Sequence, residues 1–333
     1  MRRVCVGHLP GIRPATRRRG GYRPRPGEGP GLPGGYLGQD ERGGGVKRVW
    51  PVFSVIGLIV CLWYAAAVWM NAPWVYDQAA RAGVEVSFRQ MVGETMGQAR
   101  PVLPAPHQVA AELWKGVTGQ AVTSKRSLVY HGWVTLQATF YGFVLGIGLG
   151  VALAVSIVRF RVMEVSVMPW AVISQTIPIV ALAPMIVVLS NSAGIADRMV
   201  PKAIISAYLG FFPVLVSMVK GLRSPDQMQM DQLRTWHASE AQMFFKLRLP
   251  ASLPFFFASL KVAIAASLVG AIVGELPTGA IEGLGARMLI GSQFGEPLIM
   301  WAALFAAAIL AGGLIVLVGW VERVATRQTG GAA

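Results

Sequence analysis

The sequence predicts an all-α integral membrane protein whose helices cross the bilayer six times. Of its 333 residues, 54% are hydrophobic and only 14% are charged, whereas a soluble globular domain carries about 25% charged residues. The charges are unevenly placed, so that long stretches of the chain hold almost none. Several of these stretches reach the roughly 20 apolar residues that cross a bilayer as a helix. They predict a membrane bundle rather than a soluble core.

Residues 1–48 are predicted to be a disordered, basic, cytoplasmic tail. They hold eleven Lys and Arg residues against three acidic ones, which accounts for +8 of the net charge of +14. A segment this rich in Arg, Gly and Pro buries too little apolar surface to offset the entropy of ordering it. Because the positive charge is concentrated here, no nucleic-acid partner is expected. An orienting tail and a start codon assigned too far upstream both explain the segment.

Six apolar segments follow the tail. The spans are predicted at about Trp50–Met70, Trp133–Val158, Val165–Leu189, Met199–Val219, Pro254–Gly274 and Leu298–Val321. The polar segment between the first two contains LPAPHQVAAELW at 103–114, which predicts an extended lead-in and a short helix. Prolines interrupt the third span, which predicts a broken helix there.

Aromatic and small residues in the first two spans predict how these helices pack. Tryptophans in and near the first span predict an interfacial belt, and glycines along the second predict close helix–helix approach. These residues are Trp50, Trp63, Trp69 and Trp74 in the first case and Gly142, Gly146, Gly148 and Gly150 in the second. Cys61 is expected to be buried and inert, since the two cysteines of the chain, Cys5 and Cys61, offer neither a disulfide framework nor a metal-ligand spacing.

The chain divides into four parts in this interpretation. These are the tail at 1–48, the first span with its extracytoplasmic segment at 49–127, a five-helix core at 128–323 and a short cytoplasmic tail at 324–333. Lys and Arg concentrate in the turn at 159–161, in the loop at 220–250 and after residue 322. By the positive-inside rule we expect these segments and both termini to face the cytoplasm.

Polar groups inside spans are costly and often functional, so a few are candidate residues of a translocation pathway. Gln175 and Thr176 precede Pro178 in the broken third span, and Glu275 ends the fifth. A packing kink at Pro178 and an ordinary surface acid at Glu275 are the alternatives. Lys261 is expected to extend its amine to the interface. No catalytic or metal-binding cluster is evident, and none is expected.

The loop at 221–254 is too long for a simple connector and predicts two short amphipathic helices. Two capping boxes mark their starts, formed by Ser224 and Gln227, with Pro225 between, and by Ser239 and Gln242. The second helix is expected to end at Leu249-Pro250. Such a pair either docks into a groove on a partner or lies on the lipid surface.

This loop resembles the cytoplasmic EAA loop, E-A-A-x3-G-x9-I-x-L-P, of binding-protein-dependent ABC importer permeases. At the motif positions this chain has, in order, Asp231, Gln232, Leu233, His237, Leu247, Leu249 and Pro250. The resemblance extends from about residue 103 to 323, including GLG at 283–285. It is nearest in character to the nitrate, sulfonate and taurine permeases, a branch that includes importers of thiamine-precursor pyrimidines. His237 stands where the family has a glycine, so we expect a left-handed turn held by histidine.

The resemblance implies a six-helix permease bundle in a bacterial-type inner membrane, where each EAA loop presents coupling helices to an ATPase. The coupling residues it implies are those of the motif together with Trp236. Two permease copies, two ATPase subunits and an extracytoplasmic binding protein would form the importer. The chain shows no G-x4-G-K-[ST] phosphate loop, so ATP hydrolysis is expected on the partner, and no enzymatic activity or cofactor on this chain.

Several alternatives remain open from the sequence. The solute is either a small nitrate-, sulfonate- or taurine-like anion or a heterocycle like the thiamine precursors, and the second permease is either an identical copy or a paralogue. The alternative function is an ion-coupled secondary transporter. That class would show inverted repeats and acidic residues buried in the membrane, and the sequence indicates neither.

Overall fold

The computed structural model describes residues 44–277 and 281–328, and within them every regular element is helical. The helices are α1 (Gly44–Ala82), α2 (Phe88–Gly97), α3 (Pro106–Thr118), α4 (Leu128–Arg159), α5 (Arg161–Ser174), α6 (Ile179–Ser192), α7 (Met199–Leu222), α8 (Gln227–Thr235), α9 (Glu240–Met243), α10 (Leu249–Glu275), α11 (Leu284–Gln293) and α12 (Pro297–Gln328). Residues 1–43 of the predicted tail and 329–333 lie outside the described residues, and α1 begins inside the segment predicted as tail.

The predicted membrane fold is confirmed. By length and composition, the described chain has five helices able to cross a membrane: α1, α4, α7, α12, and α10 together with the turns that precede it. The pair α5 and α6 passes the same test as one broken span, bent by 104° at the break. Counting this pair gives the six crossings predicted from the sequence.

The ends of the helices follow local sequence signals. The Ser127 hydroxyl accepts a hydrogen bond from the amide of Val129 at 3.2 Å, which caps α4. Pro106 opens α3, where the missing proline amide leaves no helical hydrogen bond unmade. The extended lead-in and short helix predicted at 103–114 are therefore confirmed.

The core of the bundle lies where α7 packs against both α4 and α10. Large side chains from all three helices are buried there, namely Ile157, Ile205, Val214, Leu215, Leu222, Ile264 and Leu268. The buried hydroxyl of Ser206 on α7 donates to the backbone carbonyl of Ser267 on α10 at 2.8 Å. These contacts fix the three helices relative to one another.

Three of the four glycines predicted to allow close packing of α4 lie against α7. A Cβ at Gly142 would overlap Ser206, one at Gly146 would lie 3.1 Å from the carbonyl oxygen of Ala207, and one at Gly150 would lie 2.7 Å from that of Phe211. Gly148 instead faces open space. The glycine prediction is therefore confirmed at every fourth residue, the spacing of one helix face.

The buried amide of Asn71 on α1 anchors the extended segment before α3. Its Oδ1 accepts from the amide of Val102 at 2.7 Å, and its Nδ2 donates to the carbonyl of Leu103 at 2.9 Å. Trp63, also on α1, donates to the carbonyl of Pro104 at 3.0 Å and stacks on Phe305 of α12. Trp63 is therefore a packing residue rather than a member of the predicted interfacial belt.

The sequence also predicts the settings of Cys61 and Lys261. Cys61 is exposed rather than buried, because it lies on a face of α1 that no other described residue covers. Lys261 on α10 forms an ion pair with Glu322 near the end of α12. Its amine is thus paired with a carboxylate of a neighbouring helix.

The glycine contacts predict that α4 tolerates side chains unequally. Gly150→Leu would drive a side chain into the α7 backbone, and overpacking of this kind costs about 1–3 kcal/mol. Gly148→Leu is the matched control, since the same change there meets open space. We expect only Gly150→Leu to lower the thermal unfolding midpoint of the detergent-solubilised protein. Equal midpoints for the two variants would contradict the packing.

Candidate functional site

Helices α8 and α9 form the predicted pair, joined by a tight turn at His237. Its φ of 54° is the one positive value at a residue other than glycine in the described part of the chain. The His237 amide donates to the carbonyl of Arg234 at 2.9 Å, and the Ala238 amide donates to that of Leu233 at 3.0 Å. These two bonds close the end of α8. The expectation that histidine adopts the left-handed conformation is confirmed.

The start of α8 differs from the prediction by two residues. Asp226, not Ser224, is the N-cap, and its amide donates to the side chain of Gln229 at 3.2 Å. The Ser224 hydroxyl instead donates to the carbonyl of Gly221 at 2.8 Å, so it bonds to the last turn of α7 rather than to α8. The predicted capping box of Ser224 and Gln227 is therefore wrong, although the predicted helix is present as α8.

Helix α9 continues into α10 through a π-helical turn at Phe244–Arg248. Ser239 and Gln242 form the predicted capping box at its start. The prediction that this helix ends at Leu249-Pro250 is wrong. The Leu249 amide bonds back to the carbonyl of Phe244, five residues earlier, and this wider turn lets Pro250 enter a helix without breaking it.

The helix pair presents large apolar side chains to its surroundings. Met228, Trp236 and Phe245 are 76%, 69% and 64% exposed. Asp231 and Arg234 form an exposed ion pair at 3.1 Å beside them. Of the other residues predicted to couple, Gln232 and Pro250 are exposed, whereas Leu233, Leu247 and Leu249 are half-buried. An exposed apolar surface flanked by charge is typical of a site for another protein.

The break in the third span lies between Ser174 and Ile179, where three of the pathway candidates lie. Gln175, Thr176 and Pro178 are all exposed at this elbow. Tyr208 of α7 donates its phenol to the carbonyl of Ser174, which satisfies one backbone group freed by the break. Glu275, the fourth pathway candidate, lies apart from them, against α4 and the loop before α11.

Glu275 is fully buried, at 0% exposure. Its Oε1 accepts from the hydroxyl of Thr135 on α4 at 2.8 Å, and its Oε2 accepts from the amide of Gly285 at 2.7 Å. The alternative that Glu275 is an ordinary surface acid is therefore wrong. The carboxylate joins three helices, because α10 carries it, α4 donates to it and the first turn of α11 donates to it.

The neighbouring amides at the start of α11 are held in the same way. The amide of Gly283 donates to Nδ1 of His131 at 3.0 Å, and the amide of Leu284 donates to the hydroxyl of Thr135 at 2.9 Å. His131 Nε2 donates to the carbonyl of Lys125 at 2.9 Å, which requires the neutral tautomer protonated at Nε2. We call Glu275, Thr135, His131 and the amides of 283–285 the carboxylate cluster.

Glycine is required on both sides of Leu284. Gly283 has φ of 124°, and a Cβ there would overlap the Glu275 carboxylate. A Cβ at Gly285 would overlap the carbonyl of Ile272 on α10. The GLG sequence at 283–285 thus lets the start of α11 approach α10 closely enough to reach the carboxylate.

Two lysines hold the residue just before the cluster. The buried amine of Lys202 donates to the carbonyl of Glu282 at 3.3 Å, and the amine of Lys125 lies 2.8 Å from the Glu282 carboxylate. Hydrogen bonds from Lys125 and then from Tyr130 hold the pKa of Glu282 below its usual value of 4.5. The stabilisation from this exposed pair is therefore complete above that pH and is lost as the pH falls through the lowered pKa.

Residues 146–330 match the family described as "Binding-protein-dependent transport system inner membrane component". The chain belongs to this family. It is the permease component of an ABC importer and a multi-pass membrane protein.

Named relatives of the permease agree with this assignment. A probable ABC transporter permease protein of Haemophilus influenzae is 31% identical over 72% of this chain and 92% of its own. The formylaminopyrimidine transport permease protein ThiX of Halalkalibacterium halodurans is 32% identical, over 68% of this chain and 83% of its own. The riboflavin transport system permease protein RibX of Chloroflexus aurantiacus is 29% identical, over 68% and 80%.

Sequence reasoning missed most of the carboxylate cluster of the permease. His131 and Thr135 stand four residues apart and so share one face of α4, which is the signal that marks a polar patch on an otherwise apolar helix. The sequence places Glu275 at the end of a span, but it does not show that the GLG segment folds back onto α4. That return depends on tertiary packing, which no local pattern records.

The cluster predicts a local effect of a single hydroxyl. Thr135→Val keeps the shape of the side chain but removes the hydroxyl that accepts from the Leu284 amide and donates to Oε1 of Glu275, and each buried group that loses its hydrogen bond in this way costs about 1–3 kcal/mol. Thr139→Val is the matched control, since its hydroxyl donates to the carbonyl of Thr135 within α4. We expect only Thr135→Val to speed hydrogen exchange at 283–285, and equal exchange in the two variants would contradict the cluster.

The turn at His237 predicts opposite effects of two substitutions. His237→Gly removes the strain of a left-handed side-chain residue, which costs about 1–2 kcal/mol, so hydrogen exchange at 227–243 is expected to slow or stay unchanged. His237→Val adds a branched side chain at the same φ and is expected to speed it. The turn assignment fails if valine is tolerated as well as glycine.

Proposed function

We propose that two copies of this permease line the pathway of an ATP-driven importer and that α8 and α9 receive the motion of the ATPase. The observation that carries this proposal is the exposed apolar surface of the pair, formed by Met228, Trp236 and Phe245. Membership of the permease family supports it, because the motif positions of the EAA loop fall on α8, on the His237 turn and on the start of α10.

Continuity of the helix supports a mechanical role for this pair. The chain is helical from Glu240 through the π-helical turn to Glu275. A displacement of α9 by a partner would therefore move α10 as a connected body rather than be absorbed in a loop. Rigid-body movement of packed helices is a common route for switching between two states.

The proposed orientation places both termini and the α8–α9 pair in the cytoplasm. The supporting observation is the concentration of Lys and Arg in the short loops on that side. The loop at 276–283 and α11 would then face the opposite side, where a binding protein would deliver the solute. The bilayer would be a bacterial inner membrane.

We favour a nitrogen heterocycle as the solute over a small anion. Two of the three relatives described above are named for formylaminopyrimidine and riboflavin, and both of these are heterocycles. A heterocycle also suits a pathway whose candidate residues at the elbow, Gln175 and Thr176, are neutral. Nitrate-, sulfonate- or taurine-like anions are the alternative.

The buried carboxylate of Glu275 is the one feature that favours the alternative of an ion-coupled transporter, since such proteins carry buried acids. Its two oxygens, however, already accept hydrogen bonds from Thr135 and Gly285. A carboxylate committed to holding the start of a helix is poorly suited to bind and release an ion in each cycle. We therefore assign it a structural part in the importer.

Co-purification with the cognate ATPase tests the proposed coupling. Asp231→Lys with Trp236→Ala reverses one charge and removes the largest exposed apolar side chain of the pair, so the ATPase is expected to be lost from the tagged permease. The matched control is Asp77→Lys with Trp74→Ala, which makes the same changes at exposed residues of α1.

The control is expected to retain the ATPase as the wild type does. Retention of the ATPase by the Asp231 and Trp236 variant at the wild-type level would contradict the coupling role. Failure of the wild type to retain any ATPase, together with solute uptake that follows an ion gradient, would favour the secondary transporter.

A further inference from the structure

A cavity of about 450 Å³ lies between the end of α4 and the turn that joins α9 to α10. Its lining includes Val155, Val158, Phe244, Arg159, Arg248 and Glu240. The lining thus combines an apolar floor of valine and phenylalanine with two guanidinium groups and one carboxylate.

Both arginines lie where spans end. Arg159 is the last residue of α4, whose 32 residues make a helix about 48 Å long at 1.5 Å per residue. Arg248 directly precedes α10, another of the helices able to cross a membrane. A bilayer with its headgroups is about 40–45 Å thick, so an arginine at the end of such a helix reaches headgroup level. The apolar floor begins next to Arg159, at Val158, and continues one turn deeper at Val155.

Neither guanidinium is neutralised within the part of the chain that the structure describes. The ion pairs found there involve other residues, and Arg159 instead lies over the ring of Phe160 at 5.8 Å. Glu240 supplies one negative charge to the lining against two positive ones. The cavity therefore has a net positive charge beside an apolar floor.

This combination selects among ligands. Planar guanidinium groups bind phosphate oxygens through paired hydrogen bonds, and basic pockets between membrane helices bind anionic lipid headgroups. Free phosphate would make no use of the apolar floor, and a zwitterionic lipid would bring a cation towards two others. We propose that this cavity binds one anionic phospholipid, with its phosphate on Arg159 and Arg248 and an acyl chain along Val155, Val158 and Phe244.

Native mass spectrometry of the full-length protein tests the site with phosphatidylglycerol and phosphatidylcholine of equal chain length. The wild type is expected to retain one phosphatidylglycerol in preference to phosphatidylcholine. Arg159→Gln with Arg248→Gln is expected to lower that affinity at least about tenfold, since each charged hydrogen bond is worth about a factor of ten. Arg159→Lys with Arg248→Lys, which keeps the charge, is expected to retain the preference with weaker binding.

The matched control is Arg323→Gln with Arg327→Gln, which removes two exposed arginines from the end of α12 and is expected to leave retention unchanged. Equal retention of the two lipids by the wild type would overturn the proposal, as would equal losses in the two glutamine variants. Displacement of phosphatidylglycerol by inorganic phosphate at similar concentration would also overturn it, because the site would then recognise the phosphate alone.

Discussion

The start of α11 depends on side chains supplied by other helices. Its amides at 283, 284 and 285 have no acceptor within their own helix, and they bond to His131, Thr135 and Glu275 instead. Without these side-chain acceptors, each buried and unpaired amide would lower the free energy of unfolding by about 1–3 kcal/mol. The rest of the bundle must therefore bring α4 and α10 to one point. It does so through α7, which packs on both of them.

Helix α10 connects the two candidate sites of the permease. The carboxylate cluster holds one end of it at Glu275, and the other end continues through the π-helical turn into α9. Under the proposed function, a displacement at the helix pair travels along α10 towards the end that the cluster ties to α4 and α11. The cluster would then make these helices move together, because breaking it would expose several partnered polar groups at once.

Local patterns predicted the membrane fold, the glycine face of α4 and the left-handed turn at His237, because each depends on chemistry within a few neighbouring residues. The settings of Glu275 and Lys261 were not predictable, because their partners lie on helices distant in the sequence. The cap of α8 at Asp226 was missed for a local reason, since the hydroxyl of Ser224 bonds to the end of α7. Three-dimensional packing thus decided the polar contacts, while sequence pattern decided the spans.

A double-mutant cycle between Glu275→Leu and Thr135→Val tests most directly whether the cluster acts as a unit. The free energy of unfolding would be measured by titration into denaturing detergent for the wild type, both single variants and the double variant. Because each single change already removes the hydrogen bond between Thr135 and Glu275, which the double variant can lose only once, the double variant is expected to cost less than the sum by at least about 0.5 kcal/mol. Additive costs would show that the two side chains act independently and would contradict the account.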